Sequence, residues 1–191
     1  IPIDVQEHTI SEEDLPQYQS AEYRHWGRNP ADPNLVDQTL ELLNRAEKPV
    51  VIAANAAWYA IERESLQTFI ETTGLPLFTV EQARGLVSDD HPLCFGYGDG
   101  SLNEAARHIR EADTILLLGK RLDHRYRYGR SPFFNSGAQL IQVDPTPTEI
   151  GRNRGVAIGV LGHLGAVTEQ LNQGANLRRW RDLSLWTNQL K

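Results

Sequence analysis

Methionine is absent from these 191 residues, cysteine occurs once, and no apolar stretch is long enough to span a bilayer. A lone Cys94 cannot close an internal disulfide. Neither a signal peptide nor a run of about 18 apolar residues is present, so a soluble, cytoplasmic chain with no membrane partner is expected. Positive charge is also short. The formal net charge is −6 and the sequence pI about 5.5, which argues against a nucleic-acid partner, because that needs a basic stripe. Arginines still gather locally, at Arg121, Arg125, Arg127 and Arg130, at Arg152 and Arg154, and at Arg178, Arg179 and Arg181, which leaves room for one anion site.

Several signatures of chemistry are missing too. Leu118-Gly-Lys-Arg121 is not a phosphate-binding Walker loop, because no glycine stands five residues before Gly119 and Arg121 replaces the required hydroxyl. Ser-His-Asp catalysis lacks its G-x-S-x-G elbow, so no catalytic residue is assigned. Asp89, Asp90, His91 and Cys94 include ligand types without the spacing of a zinc site, and no metal site is expected. Gly96-Tyr-Gly-Asp-Gly100 stands before a predicted helix, where free N–H groups favour an anion, which makes Gly98 a candidate cofactor contact. It lacks the G-x-G-x-x-G spacing and a clear strand upstream, so a plain turn is the alternative.

What is present is a βα rhythm. Val50-Val-Ile-Ala-Ala54, Leu75 to Val80, Thr114 to Leu118, Gln139 to Val143 and Ala157 to Val160 are short apolar runs without polar alternation, as in strands buried on both faces of a parallel sheet. Helices are expected from Asn34, as cap, to Ala46, from Ile61 to Thr73 with Gly74 as the stop, from Ser101 to Glu111, and from Leu164 to Leu171. Ser101 with Glu104 has the spacing of a capping box. Asn55 to Tyr59 reads as a turn, Glu81 to Asp99 as a loop, and Pro147 to Ile150 as a helical turn. The sum is an α/β, Rossmann-like, doubly wound parallel sheet of five or six strands in three α/β/α layers.

Around this body, residues 1–33 read as an N-terminal linker, 34–174 as the central domain, and 175–191 as a C-terminal helix with Leu177, Trp180, Leu183, Trp186 and Leu190 in one stripe. Pro2-Ile3-Asp4-Val5 reads as the exit from a strand that is not there, so the chain is expected to be a piece of a longer protein. Strand carboxyl ends are where ligands sit in such sheets. Arginine there suits a phosphate through its forked donors, and an acid at the next strand end suits ribose hydroxyls, so Arg121, Arg125 and Asp144 are candidates. The alternative is a loop held by an Arg–Asp pair.

Five stretches in register carry a resemblance. Glu47-Lys-Pro-Val-Val-Ile-Ala-Ala54, Thr73-Gly-Leu-Pro-Leu77, Arg84-Gly-Leu-Val-Ser-Asp-Asp-His-Pro92, Glu111 through Asp123, and Gln142-Val-Asp144 with Glu149-Ile-Gly-Arg-Asn153 resemble the central domain of thiamine-diphosphate-dependent enzymes such as acetolactate synthase, benzaldehyde lyase and 2-hydroxyacyl-CoA lyase. The resemblance implies an oligomeric parent that binds thiamine diphosphate and magnesium in flanking pyrimidine- and diphosphate-binding domains, with this piece inactive alone. It also implies a nucleotide site, for FAD or ADP, in which Gly119, Arg121, Asp123 and Arg125 match the family's nucleotide loop and Asp144 its acidic strand end; Asn55 and Gly98 are counted with them as cofactor-binding candidates. Flavin-bearing members have a glycine cluster where this chain has Ala53-Ala54-Asn55-Ala56, and a longer stretch where it has Tyr97-Gly98-Asp99-Gly100, so weak or absent flavin binding is expected. A stand-alone ADP- or CoA-binding module is the second hypothesis, and an NAD-dependent enzyme the third.

Overall fold

Pro49–Ala53 (β1) and Thr114–Leu118 (β4) are buried at every position, which only an interior strand covered on both faces achieves. The computed structural model describes residues 2–14 and 27–191. Leu77–Thr79 (β2), Cys94–Tyr97 (β3), Gln139–Asp144 (β5) and Ile158–Leu161 (β6) complete a sheet of order β3-β2-β1-β4-β5-β6, every pair parallel. Val51 lies beside Leu77 and Leu116 beside Ile141, so alternate residues of adjacent strands share a face. The chain winds outward from β1 in one direction and from β4 in the other. This is the dinucleotide-fold order, with its topological switch between those two strands.

One face is covered by helices. Pro33–Arg45 (α2) buries Val36, Leu40 and Leu43. Arg63–Thr73 (α4) buries Leu66, Phe69 and Ile70, and Leu164–Ala175 (α5) buries Val167 and Leu171. The α2 cap is Asp32, whose side chain accepts from the Asn34 N–H, with Pro33 in the first turn. Asn34 therefore lies inside the helix and not at its cap. Gly74 ends α4 at φ 71°, as expected of a residue without a Cβ. Residues 28–31 pack at the start of α5. Arg28 pairs with Glu169, and Gln170 brackets Ala31 by accepting from its N–H and donating to its carbonyl.

The other face is irregular. Ala105–Glu111 is a 3₁₀ helix that seats Ala106 and Ile109 on Ile52 and Ile115, joined by Tyr126 and Phe134. Asp99 binds the Ser101 N–H and hydroxyl, so the expected capping box does not form and the helix starts later. Ser184–Gln189 (α6) brings Trp186 and, just beyond it, Leu190 to this face, and the Trp186 indole donates to the Pro49 carbonyl at 2.9 Å. Trp180 instead packs on the helical face and Leu177 is exposed. The C-terminal stripe thus divides between two layers instead of following one helix.

Three further expectations change. Asn55–Ala60 (α3) is a short helix, not a turn, and Ile3–Gln6 (α1) is helical where a strand exit was expected. The loop from Glu81 to Asp99 contains β3. That edge strand is half-buried and kinked at Gly96 with φ 77°, which erased its sequence pattern. Asn103 satisfies it from the side by donating to the carbonyls of Phe95 and Tyr97. Part of the expected N-terminal linker, residues 15–26, lies outside the described residues.

Candidate functional site

All six strands end on one rim, and the switch between β1 and β4 opens there into a crevice of about 530 Å³. Asn55, Gly119, Arg121, Asp123 and Asp144 line it, so five of the seven residues expected from sequence converge at one place. Gly98 and Arg125 do not. Gly98 is a packing glycine. A Cβ there would stand 2.7 Å from the Tyr126 hydroxyl and 3.0 Å from Val80 Cγ1, and that hydroxyl donates to the Gly98 carbonyl at 3.0 Å. Arg125 lies at its edge, 3.8 Å from Glu81, and lines a second crevice described below.

Each convergent residue also has a structural task. Gly119 adopts φ 64°, and a Cβ there would meet Ala56 Cβ at 2.7 Å and the Ala57 nitrogen at 3.0 Å, so glycine lets α3 press onto β4. Asn55 accepts from the Gln82 N–H at 2.9 Å and ties α3 to the turn after β2. Ala53 and Ala54 are core residues on opposite faces of the sheet, so of the alanine run only Ala56 lines the crevice. Arg121 is largely exposed at the mouth, 3.9 Å from Glu149. Asp144 is buried. Desolvation pushes its carboxyl above its ordinary value, against the opposing pull of the Thr146 N–H, from which it accepts at 2.8 Å, and of the Arg121 charge.

Sequence reasoning missed Lys120, the centre of the rim. Its ammonium is buried, 3.1 Å from Glu81 and 3.0 Å from Asp123, and 5.0 Å from the Tyr126 ring centroid. Burial lifts the Asp123 carboxyl, but the hydrogen bond and charge of Lys120, with the N–H groups of Arg125 and Tyr126, outweigh it and leave the group below its usual value. Glu81 holds its place at φ 56°, a conformation unusual for a side chain of this size. Gln142 was also missed. Buried in β5, it donates to the carbonyls of Lys120 and Glu149 and accepts from the Gly151 N–H, lacing the loops after β4 and β5 together.

The crevice sets three carboxylates, Glu81, Asp123 and Asp144, against two cations, Lys120 and Arg121. By charge it favours a hydroxyl-bearing group at Asp144 and offers a phosphate only the exposed Arg121. Among the described residues no group of three or more His, Cys, Asp or Glu stands together as a metal site, and no helix is long and apolar enough to cross a membrane.

The family described as thiamine pyrophosphate enzyme, central domain, matches residues 36–171. Human 2-hydroxyacyl-CoA lyase 1 is 30% identical over 151 residues, 79% of this chain and 25% of the relative. Oxalyl-CoA decarboxylase of Escherichia coli strain K12 is 32% identical over 136 residues, 70% of this chain and 22% of the relative. The chain thus spans about a quarter of the length of these relatives. The solved benzoylformate decarboxylase of Polynucleobacter necessarius shares the fold at TM-score 0.65 and 21% identity, covering 90% of this chain and 32% of its own.

Proposed function

The chain belongs to the family of thiamine pyrophosphate enzyme central domains, and from that membership we propose that it is the non-catalytic central module of a thiamine-diphosphate-dependent lyase or synthase. In this reading it positions a pyrimidine-binding and a diphosphate-binding domain and contributes to subunit contacts of a cytoplasmic homo-oligomer. One observation carries it: the family match fills residues 36–171, while the chain covers only 25% of its human relative. Thiamine diphosphate and magnesium belong, in this proposal, to the flanking domains, where the cofactor supplies carbanion chemistry. This chain's own residues hold the sheet, the rim and the inter-domain geometry. The test is turnover by the isolated 191-residue chain with thiamine diphosphate, magnesium and pyruvate. None is expected, and measurable turnover refutes the non-catalytic assignment.

A second reading is supported by the rim. The buried Asp144 carboxyl and the exposed Arg121 stand where a nucleotide's ribose hydroxyls and phosphate would lie, as ADP or the adenosine half of FAD or CoA. The excess of carboxylates weighs toward weak binding. Thermal shift with ADP, FAD and CoA separates the readings, since a ligand at a hundred times its dissociation constant adds about 2.7 kcal/mol. A stabilisation lost on Arg121→Ala supports the site, and none with any of the three removes it.

A further inference from the structure

We propose that a second crevice, of about 360 Å³ and lined by Arg107, Arg110, Arg125 and Arg127, binds a multiply charged phosphate anion of the pyrophosphate type. Four arginines line it in a chain whose formal net charge is −6, and the one carboxylate in the lining, Asp99, accepts from the Ser101 N–H and hydroxyl. Two of the four have acidic neighbours. Arg107 lies 3.3 Å from Glu104 while its Nε donates to the Gly100 carbonyl, and Arg125 lies 3.8 Å from Glu81. Arg110 and Arg127 pair with no acid among the described residues.

Arg152, Arg154 and Arg178 behave differently. Arg154 donates to the carbonyls of Gly129, Asn135, Ser136 and Ala138. Arg152 pairs with Glu149 at 2.9 Å, and Arg178 with Asp37 at 2.8 Å. Those side chains hold the fold, whereas the crevice gathers four arginines around a single lining carboxylate, Asp99. Arg127 and Tyr128 moreover adopt φ 46° and 57°, left-handed conformations that side chains disfavour and that hold Arg127 at the crevice wall. Forked guanidinium donors suit the terminal oxygens of a diphosphate, and several phosphate charges answer several cations. The apolar Pro132 and Phe133 complete the lining. The two crevices share no lining residue and meet only where Arg125 approaches Glu81, and the variants at Arg110 and Arg127 touch this one alone.

The test is titration of the 191-residue chain with inorganic pyrophosphate and with ADP, followed by calorimetry and phosphorus NMR. Saturable binding is expected, and replacing the pair Arg110→Ala and Arg127→Ala should weaken it by about tenfold or more, since a hydrogen bond to a charged group contributes on that scale. The charge-matched pair Arg45→Ala and Arg63→Ala, on the helical face, should leave affinity within about twofold. Arg127→Gly separates binding from folding. Glycine relieves the left-handed backbone, so the melting temperature should hold or rise while anion affinity falls. Tighter ADP than pyrophosphate binding, lost in the same variants, identifies the phosphates of a nucleotide as the ligand, and equal binding identifies the free anion. No saturable binding of either, or equal loss in the crevice and control pairs, overturns the proposal.

Discussion

Lys120→Met tests the electrostatics of the rim. The substitution keeps most of the buried stem and deletes an ammonium that stands 3.1 Å from Glu81 and 3.0 Å from Asp123. Removing one partner of a buried ion pair costs about 3–5 kcal/mol, because the other charge is left without compensation. Glu81 keeps only 17% of its side chain exposed, but Asp123 keeps 36%, and water reaching Asp123 moves the expected loss to about 2–4 kcal/mol. The pH dependence has a definite sign. Asp123 is held below its ordinary value when folded, so the stability it adds is present above the carboxylate range near pH 4 and disappears as pH falls through the lowered folded value. Urea unfolding at pH 7 and at about pH 3 measures both parts. The gap between parent and variant should shrink at the acid end. A loss below about 1 kcal/mol at pH 7, or an equal gap at both pH values, refutes the account of Lys120 as the counter-ion of the rim.

Gly119→Ala forces a side chain into φ 64° and a Cβ against the Ala57 backbone nitrogen, so a loss of at least about 2 kcal/mol by thermal unfolding is expected. Gln142→Leu strands the Lys120 and Glu149 carbonyls and the Gly151 N–H, and should cost about 2–4 kcal/mol, with faster hydrogen exchange at Gly151. Asp144→Asn works the opposite way. Burial raises the folded carboxyl above its unfolded value, so the native state binds more protons through that window and loses stability as pH rises across it; the amide should therefore stabilise the protein at pH 7 and have no advantage at low pH. A destabilised D144N at pH 7 contradicts that sign.

The strands of the interior were legible because burial on both faces removes polar alternation, and Thr114–Leu118 and Pro49–Ala53 show that pattern without interruption. Gly74 was legible as a stop because its requirement is local. The edge strand β3 was not, since one side meets solvent and Gly96 bends it. Five of the seven expected residues converged because they stand at or soon after the ends of β1, β4 and β5, which the sheet sets side by side. Gly98 did not, because it follows β3, the outermost strand and two away from the switch, and Arg125 did not, because the direction of a loop side chain depends on its neighbours in space.

By itself the sequence determined which segments are buried, and hence a parallel α/β sheet whose strand ends share a rim. Only the tertiary structure decided who meets whom there. Glu81 reaches Lys120 across 39 residues and Trp186 reaches Pro49 across 137, pairings that follow from strand order and leave no periodic trace along the chain. Burial is imposed residue by residue and so writes itself into local spacing. Charge compensation acts through space and appears only once the fold has brought the partners together.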